Sequence, residues 1–156
     1  DIFACNGILF NHESPLRGLE FVTRKITYEL AQIKYKKQKK FKLGNIYAKR
    51  DWGFAGDYVE AMWLMLQQKQ PEDYVISTGE SHSVEDFLNL ATEFSELGDW
   101  KNLVEIDKSI LRPTDIDDLV GDSSKARTQL GWSPKMNFRQ LVKSMVEHDL
   151  EFVKTH

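Results

Sequence analysis

The sequence predicts an α/β fold, on three observations. Residues 2–10 form an apolar run interspersed with small residues, the pattern of a strand buried in a parallel sheet. Residues 20–36 carry Val22, Ile26, Leu30 and Ile33 at spacings of four, four and three, which draws one apolar stripe along a helix. Beyond them, short apolar segments alternate with helix-length segments that open on capping residues. At 156 residues the chain is long enough for one domain with its own core, and 41% hydrophobic with 29% charged residues is ordinary for a globular protein.

Taken in order, the strand at 2–10 gives way to a polar loop at 11–18, which Pro15 and Gly18 keep out of the following helix. A short strand is expected at 41–43, ended by the turn signal Gly44-Asn45. Residues 48–52 should be extended, and Gly53 should break them. Asp57 with Glu60 reads as a capping box that starts a second helix, closed by Pro71. Met62, Trp63, Leu64, Met65 and Leu66 leave that helix apolar on most of its circumference, so they are expected in a core between layers. Residues 74–77 read as a buried strand, and Ser83 with Asp86 should cap a third helix running to about Glu96, with Val84, Phe87, Leu88 and Ala91 inward. Residues 103–107 alternate as a strand does. Ser123 or Ser124 should start a short helix that Gly131 ends. Asn137 with Gln140 should cap the last helix, which turns Phe138, Leu141, Val142, Met145 and Val146 inward.

Composition narrows the functional classes. A net charge of −3 does not suggest nucleic acid as a general partner, and no apolar run approaches the roughly 18–20 residues that span a bilayer. The opening DIFACNG has no basic region ahead of its apolar part, so a signal peptide is not expected, and the chain reads as beginning inside a domain. The single Cys5 rules out an internal disulfide framework and fits a reducing, cytoplasmic location; its apolar setting predicts an inert buried thiol. Lys34, Lys36, Lys37, Lys39, Lys40 and Lys42 crowd the end of the first helix, where cations complement the macrodipole on a solvated face; a patch for an anion or an acidic partner is the other reading.

No metal site is expected, because His12, His82, His148 and His156 are scattered without ligand spacing. The sequence has no glycine-rich phosphate loop and no nucleophile elbow. What it does have is a set of groups suited to an anion. Asn11 sits where a strand ends, and Arg17 and Lys25 flank a helix N-terminus, a favoured place for phosphate. Arg50 ends an extended segment, and Arg112 is held extended by Pro113. Four cations on separate elements suit a diphosphate, each charge-assisted hydrogen bond contributing about 1.5–3 kcal/mol. Each arginine alone fits a surface ion pair equally well, and these residues by themselves name no ligand.

Longer blocks carry a resemblance. Ile8-Leu9-Phe10-Asn11-His12-Glu13-Ser14-Pro15, Arg17-Gly18, Phe21-Val22-Thr23-Arg24-Lys25-Ile26, Ala48-Lys49-Arg50-Asp51-Trp52-Gly53 and the run from Asp57 to Gln67 resemble the GDP-mannose 4,6-dehydratase family. Thr78-Gly79-Glu80, His82-Ser83-Val84, Arg112-Pro113-Thr114 and Leu130-Gly131-Trp132-Ser133-Pro134 extend the likeness over almost the whole chain. The last two of these blocks are shared more widely among extended short-chain dehydrogenase/reductases.

The resemblance implies the C-terminal part of a Rossmann-type fold. Residues 1–17 and 56–80 would be late strands and their joining helix, and 18–55 and 81–156 the substrate-binding domain. It implies an enzyme that converts GDP-mannose to GDP-4-keto-6-deoxymannose with NADP, on the route to GDP-fucose and other deoxysugars. His12 and Arg17 would lie against the cofactor. Asn11 would contact the nucleotide sugar, Lys25, Arg50 and Arg112 would hold the GDP moiety, Val22 would line the base pocket, and Asp115 would stand where a ribose-binding glutamate is usual. The family's glycine loop, catalytic threonine and glutamate, and tyrosine-x-x-x-lysine pair precede the matched segment, so no catalytic residue is expected here and the isolated chain should be inactive. Leu16, Phe54 and Gly56 replace an arginine, a histidine and a lysine, and 97–103 is shorter than usual. Expected partners are GDP-mannose and either a second copy or the complementary N-terminal half. A different nucleotide-sugar epimerase or dehydratase, and a non-catalytic module derived from the fold, are the alternatives.

Overall fold

The computed structural model describes residues 2–110 and 118–156. The chain runs β1 (Gly7–Leu9), β2 (Asn11–Glu13), α1 (Val22–Lys34), β3 (Phe41–Leu43), β4 (Lys49–Arg50), β5 (Trp52–Phe54) and α2 (Ala55–Met65). It continues through β6 (Tyr74–Ile76), β7 (His82–Ser83), α3 (Val84–Ser95), β8 (Val104–Ile106), β9 (Asp118–Leu119), α4 (Ser124–Leu130) and α5 (Phe138–Thr155). The α/β expectation holds. β1 pairs with β6, β2 with β5, and β3 with β8, all parallel, while β4 lies between a parallel β9 and an antiparallel β7.

Two cores organise these elements. In the larger, α1, α3 and α5 pack together through Ile26, Leu30, Phe87, Leu88, Val142 and Met145, with β3, β8 and Trp52 against them. Fully burying each such side chain contributes about 1.5–3 kcal/mol. A buried ion pair ties this core internally: Arg24 Nε donates to Asp149 Oδ1 at 2.9 Å, and Thr27 Oγ1 donates to Oδ2 of the same carboxylate at 2.5 Å. The smaller core joins α2, β6 and α4 through Tyr58, Met65, Ile76 and Trp132.

Caps behave as the sequence predicts. Ser83 and Asp86 make both bonds of a capping box at α3, and Asn137 and Gln140 do the same at α5. Gly131 ends α4 in a left-handed conformation. These are local interactions, which nearby residues alone decide.

Other expectations need correction, each for a tertiary reason. The strand expected over 2–10 is confined to β1, and Ile2, Phe3 and Ile8 are exposed, because β1 has one strand neighbour among the described residues. The start of the expected 11–18 loop is strand β2, since β5 offers it a parallel partner. Gly53 does not break the extended segment; it lies inside β5, where the Tyr58 ring crosses so closely that a Cβ would sit 2.4 Å from Cε2. Asp57 does not cap α2, which begins at Ala55. It lies in the first turn and accepts from the backbone N–H groups of Lys135 at 2.9 Å and Met136 at 3.1 Å, while Trp132 Nε1 donates to its carbonyl at 2.8 Å. The Leu130–Pro134 block is therefore docked on the start of α2. That helix ends at Met65, before Pro71. Only Met65 of its apolar run is fully buried: Met62 and Leu66 are exposed and Trp63 is 61% exposed. Cys5 is half-buried, its Sγ 3.7 Å from the Met65 carbonyl oxygen.

Asp51 is fully buried between β4 and β5. Oδ1 accepts from Thr78 N at 2.8 Å and Thr78 Oγ1 at 2.6 Å; Oδ2 accepts from Gly79 N at 2.9 Å and Gly121 N at 3.3 Å. Gly79 has a positive φ of 84°, a conformation that suits glycine, in the turn whose amides reach the carboxylate.

Asp51→Ala leaves three amides without their acceptor and should destabilise the chain by about 3–5 kcal/mol in urea unfolding. The exposed apolar face of β1 and α2 should drive self-association in concentrated solution. The double substitution Trp63→Glu and Leu66→Glu should shift the chain toward monomer in sizing chromatography with light scattering without unfolding it, because neither side chain is in the core.

Candidate functional site

A cleft of about 340 Å³ opens where β2 and β5 end beside the start of α1. Its walls include Asn11 and Glu13 from β2, Phe21, Val22 and Lys25 from the start of α1, Gly44 and Asn45 after β3, and Arg50 and Trp52. The strand period explains the first pair. Side chains alternate across a strand, so Asn11 and Glu13 share the cleft face and His12 points to the other.

On that other face the His12 ring packs on Tyr58, centroids 5.2 Å apart, with Nδ1 2.9 Å from the Phe10 carbonyl oxygen. A carbonyl only accepts, so Nδ1 carries the hydrogen and Nε2 is left as an acceptor. The Tyr58 hydroxyl is buried and unpartnered among the described residues. Burial, with Asp51, Asp57 and Glu13 nearby, pushes its pKa well above the ordinary phenol value.

The start of α1 is built for an anion. It has no side-chain cap and no acidic residue in its first turn, so no side chain of its own caps its amides, although Glu13 and Glu20 stand on the same cleft wall. Lys25 stands in that turn and donates to the Lys42 carbonyl at 2.8 Å, which holds its ammonium at the cleft wall. Arg50 enters from β4, its Nη1 2.6 Å from the Lys49 carbonyl oxygen.

The structure thus brings Asn11, Val22, Lys25 and Arg50 to one cleft from separate parts of the chain. His12 and Arg17 are not on its wall. Arg17 lies beside it, its guanidinium 3.5 Å from the Phe21 ring centroid and its Nε 3.3 Å from Glu13 Oε2. Arg24 Nη1 holds the Arg17 carbonyl at 2.8 Å, so the loop is anchored to the buried Arg24–Asp149 pair. Arg112 and Asp115 fall outside the described residues. One tyrosine of this chain, Tyr35, has a lysine, Lys39, four residues on, but it caps the far end of α1, away from the cleft.

Glu13 is the residue that sequence reasoning passed over. It is 2% exposed and accepts a 2.7 Å bond from Thr23 Oγ1. Burial holds its carboxyl above the ordinary glutamate value, against Thr23, Arg17 and His12, which pull it down. Its place on the Asn11 face follows once β2 is a strand, which the pairing with β5 decides and local sequence does not.

The lysine-rich segment is a paired helix end. Lys34 and Lys37 donate to the Ser95 and Val153 carbonyls, and Lys40 and Lys42 pair with Glu105 and Asp107. Among the described residues there is no cluster of three His, Cys, Asp or Glu that could hold a metal, and no helix long and apolar enough to cross a membrane.

Comparison with known proteins adds to this geometry. The family model described as GDP-mannose 4,6 dehydratase matches residues 1–145. The chain is 61% identical over 153 residues to GDP-mannose 4,6 dehydratase 1 of Arabidopsis thaliana, covering 98% of this chain and 42% of that protein. It is 47% identical over 172 residues to GDP-mannose 4,6 dehydratase of Homo sapiens, covering 100% and 46%. The chain spans about half the length of the curated relatives it matches. Among solved structures, RMD from Pseudomonas aeruginosa complexed with NADPH superposes with a TM-score of 0.85 at 17% identity, over 95% of this chain and 48% of that one, which shows a shared fold.

A raised folded pKa means that Glu13 favours folding when protonated. Its contribution is present below the ordinary value of 4.5 and is lost as pH rises through the higher folded value. The stability of the wild type relative to Glu13→Gln should therefore fall as pH rises above the ordinary glutamate value of 4.5 in urea unfolding. A difference that does not change with pH would contradict the assignment.

Proposed function

The chain belongs to the GDP-mannose 4,6-dehydratase family, a Rossmann-type extended short-chain dehydrogenase/reductase group, and from that premise we propose that it is the nucleotide-sugar-binding part of such an enzyme. The observation that carries this reading is the convergence of Asn11, Val22, Lys25 and Arg50 on one cleft beside an uncapped helix start. Lys25, Arg50 and the amides of α1 neutralise the diphosphate, with Arg112 completing the cation set. Val22 packs on the guanine base, Asn11 bonds the ligand where the strand ends, and Asp115 takes a ribose hydroxyl. The reaction is the loss of water from GDP-mannose to give the 4-keto-6-deoxy sugar.

NADP supplies the hydride acceptor when bound. The residues present fit it: His12, with its Nδ1 hydrogen committed to Phe10, offers Nε2 to a carboxamide N–H, and Arg17 adds a cation beside the same strand. Neither residue performs acid–base chemistry in this reading. The proton-transfer groups belong to the complementary half, which the exposed apolar face of β1 and α2 suits, as it suits a second copy.

Titration calorimetry of this chain should detect GDP, with UDP binding more weakly. Arg50→Ala and Lys25→Ala should each weaken GDP by about tenfold or more, the loss of one charge-assisted hydrogen bond. Adding the N-terminal half of a relative should restore turnover of GDP-mannose. An absence of GDP binding with Lys25 and Arg50 intact would overturn the reading.

A further inference from the structure

We propose that Glu13 is a specificity-determining residue of the cleft, a carboxylate that accepts a hydrogen bond from a hydroxyl of the glycosyl group of the nucleotide sugar. The inference rests on the nucleotide-sugar reading of the cleft and adds to it the group that recognises the sugar.

The carboxylate is under-satisfied. An ionised carboxylate has about four acceptor positions, and taking it out of water is costly unless they are filled. Both internal contacts of Glu13 fall on one oxygen. Thr23 Oγ1 donates to Oε2 at 2.7 Å, and Arg17 Nε lies 3.3 Å from Oε2 but is too poorly aligned to count as a hydrogen bond. Oε1 accepts nothing from the described residues and is not among the atoms sealed from solvent. Glu13 lines the cleft, so Oε1 is an acceptor waiting for a donor there.

The chemistry of that donor follows from charge. A phosphate brings only acceptors and negative charge, and it is repelled by Glu13 and drawn to Lys25 and Arg50. A sugar hydroxyl is neutral and donates. Glu13 shares its strand face with Asn11 and sits against Thr23 and Arg17, a polar setting suited to hydroxyls. The apolar walls at Val22, Leu43 and Ile110 suit the flat face of a base. The cleft thus offers cations, Lys25 and Arg50, to a diphosphate and a carboxylate, Glu13, to a hydroxyl; Glu20 is a second carboxylate on its wall, next to Phe21.

Glu13→Gln tests this sharply. Thr23 O–H donates to the Oε2 position and the Arg17 cation lies 3.3 Å from it, so the amide oxygen is favoured there and the amide NH2 takes the place of Oε1. The variant keeps its internal bond and presents the ligand with a donor instead of an acceptor. Glu13→Asp is the second variant, keeping the charge but withdrawing it by one methylene. Calorimetry with GDP and with GDP-mannose should show each variant weakening GDP-mannose by about tenfold or more while GDP stays within about twofold of the wild type. Equal loss for both ligands would make Glu13 a structural residue or a base contact, and no loss for either would make it a bystander; each overturns the proposal. Wild-type chain that binds neither ligand overturns the cleft reading itself, and this proposal with it.

Discussion

The arrangement depends on one buried carboxylate. Asp51 stands between Arg50 and Trp52, two residues of the cleft, and gathers the amides of Thr78, Gly79 and Gly121 from loops far apart in sequence. Its own amide donates to the Leu119 carbonyl oxygen at 2.9 Å, which continues the pairing of β4 with β9. With both oxygens committed, the consecutive strands β4 and β5 cannot shift without breaking several bonds at once. Everything the cleft needs from that side, the reach of Arg50 and the register of β5 against β2, is set from this point. A carboxylate is suited to the task because it accepts from several donors at once and rewards amides that would otherwise go unpaired.

The same economy appears around α1. Asp149 holds Arg24 and Thr27, Arg24 holds the Arg17 carbonyl, and Glu13 holds Thr23. Two buried carboxylates thus pin the strand–loop–helix junction from its two ends. The helix start itself is left without a side-chain cap, which keeps its amides available to an anion. β2 divides the labour between its faces: Asn11 and Glu13 toward the cleft, His12 toward Tyr58. In the reading proposed above, substrate and cofactor contacts come from neighbouring residues of one strand, so that fixing the strand fixes both.

How much of this could be read beforehand differs by element. The capping boxes at Ser83 and Asn137, the stop at Gly131 and the apolar stripe of α1 were legible, because each depends on residues within a turn or two of one another. The cleft residues Asn11, Val22, Lys25 and Arg50 were legible through resemblance, and their convergence bears on that reading as a matter of placement. Asp57 was misread because its side chain could serve its own helix or a distant segment, and the distant amides of Lys135 and Met136 won. Gly53 was misread for a like reason: a glycine in an extended run signals a break unless a ring such as that of Tyr58 needs the space. The apolar run of α2 was taken for core, yet Trp63 and Leu66 face outward, since periodicity reports that a face is apolar and not what covers it.

The sequence by itself determined the α/β class, most helix positions, the caps and, through its longer blocks, the family. Those properties follow from local propensity, from periodicity and from side chains that meet their partners within a few residues. Only the tertiary structure decided that β2 is a strand, that Asp51 is a clasp, and that Glu13 faces the cleft with one oxygen unclaimed. Each of these depends on a partner between ten and seventy residues away. Which distant donor reaches a given carboxylate is settled by packing, and packing is a property of the whole chain.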